Sequence, residues 1–297
     1  MDKNSFSETR RVPRRRRGGF GGGTPISSKL KKYTSLIRAG MLDMLQWRAS
    51  LFITLLGNIV YLVIIYHLWQ AIYASSPPEL GGVVNGMTFT DTMIYIVLAA
   101  AIFNLLSLWT VWEMGREIQD GGMVLSLLRP MEYRTHLLFS SLGANVMNFF
   151  MIFLPTFVIV SIITGGAIPL GLNLLYFMIA LFFGLLINYY IDFFVGTICF
   201  YTEATWGVDA GKNIIVMLMS GAVIPIAFFP EGFRRVAEFL PFQAIYNVPL
   251  RILMGHNSGT TEILTMFAVQ IFWIAVMYII SSLFWKKSIT KITINGG

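Results

Sequence analysis

Long apolar runs alternate along this chain with short polar stretches, and the lengths of the runs set the elements. Runs over 51–73, 87–112, 137–163 and 172–201 each reach the about 20 residues a helix needs to cross a bilayer. A shorter run covers 213–229, and a last one over 263–285 is stopped by Lys286 and Lys287. Together they predict six transmembrane helices. Between the second and third runs lies the one interior stretch dense in charge, Glu113–His136, EMGREIQDGGMVLSLLRPMEYRTH. It predicts a short cytoplasmic helix pair. Ahead of the first run, Leu30, Tyr33, Ile37, Met41, Met44 and Leu45 repeat at helical spacing, with Lys29, Lys31, Lys32 and Arg38 among them. This predicts an amphipathic interfacial helix over 28–48, its apolar side toward lipid or toward the bundle. A plain helical start to the first span fits the same pattern. Trp47 and Arg48 mark the water boundary.

The segment before the last run is broken up by Pro225, Pro230, Pro241 and Pro249, so it cannot form one spanning helix. Phe233, Val236, Ala237 and Leu240 share one helical face, while Glu231, Arg234, Arg235 and Glu238 face elsewhere. The pattern predicts a short amphipathic helix from Pro230 to about Leu240. After Pro241 a second helix follows, the pair being re-entrant in the outer leaflet; an ordinary external loop with a surface helix is the plainer alternative.

Composition fixes the class. The chain has 56% hydrophobic and 12% charged residues and a mean hydropathy of +0.68, against about 25% charged in a soluble domain. It is predicted to be an all-α polytopic membrane protein, with a basic Gly/Arg-rich tail over 1–27, the interfacial helix over 28–48, a six-span domain over 49–287 and a cytoplasmic tail over 288–297. Nineteen of the 22 lysines and arginines fall on one side of the predicted topology; without the N-terminal tail the ratio is still twelve to three. The positive-inside rule therefore puts both termini and the charged stretch in the cytoplasm. The net charge of +7 reads as basic loops beside anionic lipid, not as nucleic-acid binding. The tail, RRVPRRRRGGFGGG, is either a membrane-surface arm or a solvated end. Cys199 stands alone, so no intrachain disulfide forms, and it reads as a small core residue.

No catalytic constellation is visible. His67, His136 and His256 lie in different regions without metal-ligand spacing, and HEXXH, GXSXG and CXXC are absent. Gly207–Asn213, GVDAGKN, falls short of a phosphate-binding loop: three residues, not four, separate its glycines, and Asn213 follows Lys212. Any ATP use must therefore come from another chain. Asp192 is the one acid well inside an apolar run, where an ionised carboxylate costs about 2.5–3.5 kcal/mol on insertion scales. It is either a pathway or ion-coupling site, or a structural carboxylate bonded to Asn or Tyr of a neighbouring helix. Asn145, Asn148 and Asn188 add polar points within spans, as pathway residues or as interhelical glue.

The layout resembles the permease subunit of the ABC-2 exporter family. Within it, Arg116-Glu117-Ile118, Gly121-Gly122 and Leu127-Leu128-Arg129-Pro130 are similar to the coupling-helix signature of a bacterial subgroup. The resemblance implies a second permease subunit, identical or different, and two copies of a cytoplasmic ABC ATPase docked on the coupling helix. ATP and Mg would be bound by that ATPase and no cofactor by this chain, which is not itself an enzyme. It also implies outward transport across the bacterial inner membrane, here of an amphiphilic small molecule or peptide. Gly121-Gly122 would permit the turn, Leu125, Leu127 and Leu128 would fill a cleft in the ATPase, and Arg116, Glu117 and Arg129 would set register. An ion-coupled carrier using Asp192 is the alternative from another class, and a membrane enzyme acting on lipids a third.

Overall fold

The computed structural model describes residues 25–46, 48–77, 81–166, 168–169, 171–255 and 259–291. Residues 1–24 of the basic tail, Trp47, His256 and the chain end after 291 lie outside the described residues, as do the side chains of Lys29, Leu30 and Arg48. The fold is a helical bundle. Five helices among the described residues are long and apolar enough to cross a membrane: 56–74, 89–119, 133–163, 172–198 and 260–288.

Helix α1 (Pro25–Gln46) packs along α6 (Tyr133–Asn148), with Tyr33, Ile37, Met41 and Met44 half-buried. The crossing is made at two glycines. A Cβ on Gly40 would stand 2.4 Å from the Ser140 carbonyl oxygen, and one on Gly143 2.3 Å from that of Ile37. Tyr33 stacks on Phe139 at 4.4 Å, and Lys32 Nζ donates to the Pro130 carbonyl at 2.7 Å.

Helix α2 (Arg48–Ala74) leaves most of its apolar side chains exposed, including Ile53, Leu56, Ile59 and Ile64. Trp69 is its buried anchor, against Phe228. The connection from α2 to the next helix holds a two-stranded hairpin, β1 (Val83–Val84) and β2 (Met87–Thr88), pairing Val83 with Thr88 and Val84 with Met87. Asn85 and Gly86 both take positive φ, as such a tight turn requires. No strand was expected here, although Asn-Gly between apolar residues is the usual signal. Thr88 and Asp91 then form a reciprocal capping box that starts α3 (Phe89–Leu106).

Two predicted spans are interrupted. The second, expected over 87–112, stops helically at Leu106 and resumes as α4 (Thr110–Gln119). A break at membrane depth strands carbonyls, and these are bonded by side chains from neighbours: Asn148 Nδ2 donates to the Asn104 carbonyl and Asn188 Nδ2 to that of Leu106, both at 2.9 Å. The third span runs from α6 through a π turn (Phe149–Phe153) into α7 (Leu154–Ile163). Pro155 has no N–H to offer the Met151 carbonyl, which accounts for the widened turn.

Helix α8 (Leu172–Ile198) is the central element, contacted by α4, α9 (Thr205–Met219), α11 (Gln243–Leu253) and α12 (Thr260–Ser288). The run expected to be the fifth span is divided among the end of α9, a turn at Gly221, and a 3-10 turn at Ile226–Phe228 after Pro225. At 1.5 Å per residue α9 is about 22 Å long, short of the about 30 Å hydrocarbon core. Helices α10 (Glu231–Phe239) and α11 follow as the expected pair. Nearly every α11 side chain is buried, and its Ile245 carbonyl lies over Gly184, near the midpoint of α8. Gln270 of α12 ties the two together, donating to the carbonyls of Ala180 and Ala244 at 2.9 and 2.8 Å.

The α1–α6 crossing is open to a direct test. Gly143→Ala is expected to cost about 1–3 kcal/mol by overpacking, read as a lower melting temperature in detergent. Gly232→Ala, on exposed α10 with no atom near the added methyl, should leave it unchanged or raise it.

Candidate functional site

The charged stretch folds as α4, a glycine turn and α5 (Met123–Leu127). Gly121 has φ +71°, a conformation that favours glycine and lets α5 fold back against the bundle. The turn is clamped from inside. The Glu117 carboxylate accepts from Ser126 Oγ and from the Tyr133 hydroxyl, both at 2.7 Å. Met123 is buried beside Met114, Tyr133, Tyr189 and Phe193, and Ile118 and Leu127 pack on the same cluster. Tyr133 in turn stacks on Trp285 at 5.2 Å.

Outside, Leu125 and Leu128 are 71% and 77% exposed, side by side on one surface. Arg116, Asp120, Arg129, Pro130 and Glu132 of the same stretch are exposed too, and Arg129 Nη1 lies 2.5 Å from His136 Nε2. The expected outward set is thus split. Glu117 and Ile118, at the end of α4, and Leu127 of α5 are half-buried and hold the turn, Glu117 through Ser126 and Tyr133 and the two apolar side chains by packing on the cluster of Met114 and Tyr133. Leu125, Leu128 and the flanking charges remain on the surface, with Gly121 exposed and Gly122 half-buried at the turn.

Helix α4 is bonded to α9. Gly115 passes so close to Thr205 that an added Cβ would meet its hydroxyl at 2.4 Å. Gln119 Nε2 donates to the Glu203 carbonyl at 2.8 Å, and Trp112 Nε1 to Asp209 Oδ2 at 3.2 Å. Asp209 also lies 3.1 Å from Lys212 Nζ, which donates to Asp192 Oδ1 on α8 at 2.8 Å. Asp192 was expected, in the structural reading, to bond Asn or Tyr of a neighbour. Its partner is instead Lys212, twenty residues on, an ammonium group that only the return of α9 against α8 brings near. The GVDAGKN stretch is correspondingly helical, not a phosphate-cradling loop.

The asparagines separate. Asn148 and Asn188 serve the helix break in α3–α4. Asn145 is 3% exposed, and both its amide atoms lack a hydrogen-bond partner. With Asn148 and Asn104 it lines a cavity of about 600 Å³ among α1, α3, α4 and α6. One residue that sequence reasoning counted only for its charge proves central: Arg134 is buried between the rings of Phe193 and Tyr278, 4.9 and 4.8 Å from their centroids, and donates to Ser282 at 2.7 Å. Nothing in the linear sequence pairs those elements.

In the α10–α11 pair, Pro230 occupies the cap position at the start of α10 and Leu240 that at its end, while Pro241 is buried at the turn into α11. Phe233, Val236 and Phe239 are exposed, and Arg234–Glu238 and Arg235–Glu231 pair along the polar side. Among the described residues no cluster of three or more His, Cys, Asp or Glu could hold a metal ion.

Compared with known families, residues 59–296 match the model described as ABC-2 family transporter protein, which leaves α1 and the start of α2 outside the match. No individual curated protein matches the sequence.

The buried ion cluster makes a clear prediction. Lys212→Met leaves Asp192 uncompensated and is expected to cost about 3–5 kcal/mol, whereas adding Asp192→Asn to it should recover most of that loss. Melting temperature and folded yield in detergent measure both.

Proposed function

The chain belongs to the ABC-2 family of transporters, and on that premise we propose that it is the permease of an ATP-driven exporter working with a separate ATPase. The observation that carries this is the surface of α5. Leu125 and Leu128 stand exposed on a short helix held from behind by Glu117, Ser126 and Tyr133. An apolar pair on a rigid mount, rimmed by Arg116, Asp120 and Arg129, is suited to a cleft on a soluble partner. We infer that two ATPase copies dock there, one on each of two permease subunits, alike or different, and carry the ATP and Mg.

The same reading accounts for the bonds behind the surface. Closure of the ATPases displaces α5. The clamp passes that displacement to α4, and Gln119 and Trp112 pass it to α9, which Lys212 ties to α8. Orientation follows the lysine and arginine bias: α5 and both termini in the cytoplasm of a bacterium, α10 and α11 at the outer leaflet, and transport outward. The substrate on this reading is amphiphilic, in keeping with aromatic and methionine-rich spans. A carrier coupled to an ion at Asp192 is less well supported, since that carboxylate is already paired with Lys212.

Leu125→Asp with Leu128→Asp should lower both ATPase copurification and substrate-stimulated ATP hydrolysis at least tenfold while the melting temperature holds. Leu127→Asp, which places a charge in the clamp, should lower the melting temperature instead. Normal copurification of the ATPase with the exposed-pair variant would rule out docking at this surface.

A further inference from the structure

The 600 Å³ cavity is of the size that takes a drug-sized ligand, and two acids are among the described residues that line it. Asp43 of α1 and Glu113 of α4 bring carboxyl groups to it from different helices, and no lysine or arginine is among the described residues that line it. Asn145 faces it from α6, and its amide nitrogen and oxygen are both buried without a partner. Such a group leaves about 1–3 kcal/mol of desolvation uncompensated unless something in the cavity bonds it. Trp109, in the α3–α4 break, adds an indole that is itself 69% exposed. Met44, Leu108 and Ile152 make up an apolar part of the wall.

Carboxylates and an indole are the groups that recognise an ammonium. The unbonded carbonyl of Asn145 accepts a further N–H, and its NH₂ asks for an acceptor oxygen close by. We propose that this cavity binds a protonated amine carrying an apolar body and a neighbouring hydroxyl or carbonyl oxygen, held by Asp43, Glu113 and Asn145 with Trp109 alongside. As the substrate class of the transporter, this rests on the permease reading above; as a binding site it stands apart from ATPase docking. The amine is either a free amphiphile or the ammonium headgroup of a lipid such as phosphatidylethanolamine.

The test uses the full chain in nanodiscs of phosphatidylcholine and phosphatidylglycerol, with sphingosine as the amine probe and dodecanol as the uncharged control. Tryptophan fluorescence and thermal shift report binding. Sphingosine is expected to bind saturably and to raise the melting temperature, and dodecanol to do neither. Asp43→Asn with Glu113→Gln should weaken sphingosine binding at least tenfold. Asn145→Leu, which removes an unbonded amide, should weaken it comparably while keeping or raising the melting temperature without ligand. Adding phosphatidylethanolamine to the discs separates the sources: a several-fold weaker apparent affinity identifies the lipid headgroup as occupant, and an unchanged one a free amine. Equal response to dodecanol, or wild-type binding by both variants, overturns the proposal. The Leu125→Asp, Leu128→Asp variant should bind sphingosine normally, so loss of the amine site and loss of ATPase docking are read independently.

Discussion

Lipid tails are as apolar as leucine, so transmembrane helices gain little by turning apolar faces toward one another and instead associate where their backbones come close. In this bundle that approach is made at glycines. Gly184 lets α11 reach the midpoint of α8, Gly196 admits Met114 of α4, and Gly40 and Gly143 let α1 and α6 touch main chain to main chain. Each added Cβ would stand under 3 Å from a neighbouring atom.

The second constraint is that backbone polar groups at membrane depth must be bonded. A bilayer does not forbid broken helices; it demands that each break be repaired. The α3–α4 interruption is repaired by amides from α6 and α8, while Gln270 uses its amide to tie α8 to α11 through carbonyls within those helices. Asn148 and Asn188 therefore act on carbonyls of another helix, whereas Asn104 donates to the Ala100 carbonyl of its own. Asn145, alone of the three asparagines predicted at sequence level to line a path, has no such carbonyl to serve, and this is what draws attention to the cavity beside it.

A docking surface has to be firm from behind as well as adhesive in front. On the docking proposed above, the charged stretch meets both needs by dividing its residues between two faces. Glu117, Ile118, Met123 and Leu127 build the mount, while Leu125, Leu128 and the arginines form the outer surface. In a helix of five residues the two roles alternate within one turn, so neighbours in sequence, such as Leu127 and Leu128, do opposite work.

Much of the architecture was legible from the chain. Apolar run length identified the membrane class and five membrane-length helices, because bilayer thickness sets helix length directly. Prolines marked the external helix pair, and Gly121-Gly122 marked the turn. What stayed hidden depends on distant residues meeting. A 17-residue apolar run at 213–229 looks like a short span, yet Gly221 and Pro225 divide it, and the bundle supplies the packing for each piece. Asp192 and Lys212 are twenty residues apart, and Arg134 and Tyr278 far more; no local periodicity relates them. The sequence by itself determined that this is a helical membrane protein with one charged interior surface, since hydropathy is a local property. Which leucines face outward, which acid is neutralised and which amide is left unbonded were decided only by tertiary packing, because each is a relation between helices and not a property of any one of them.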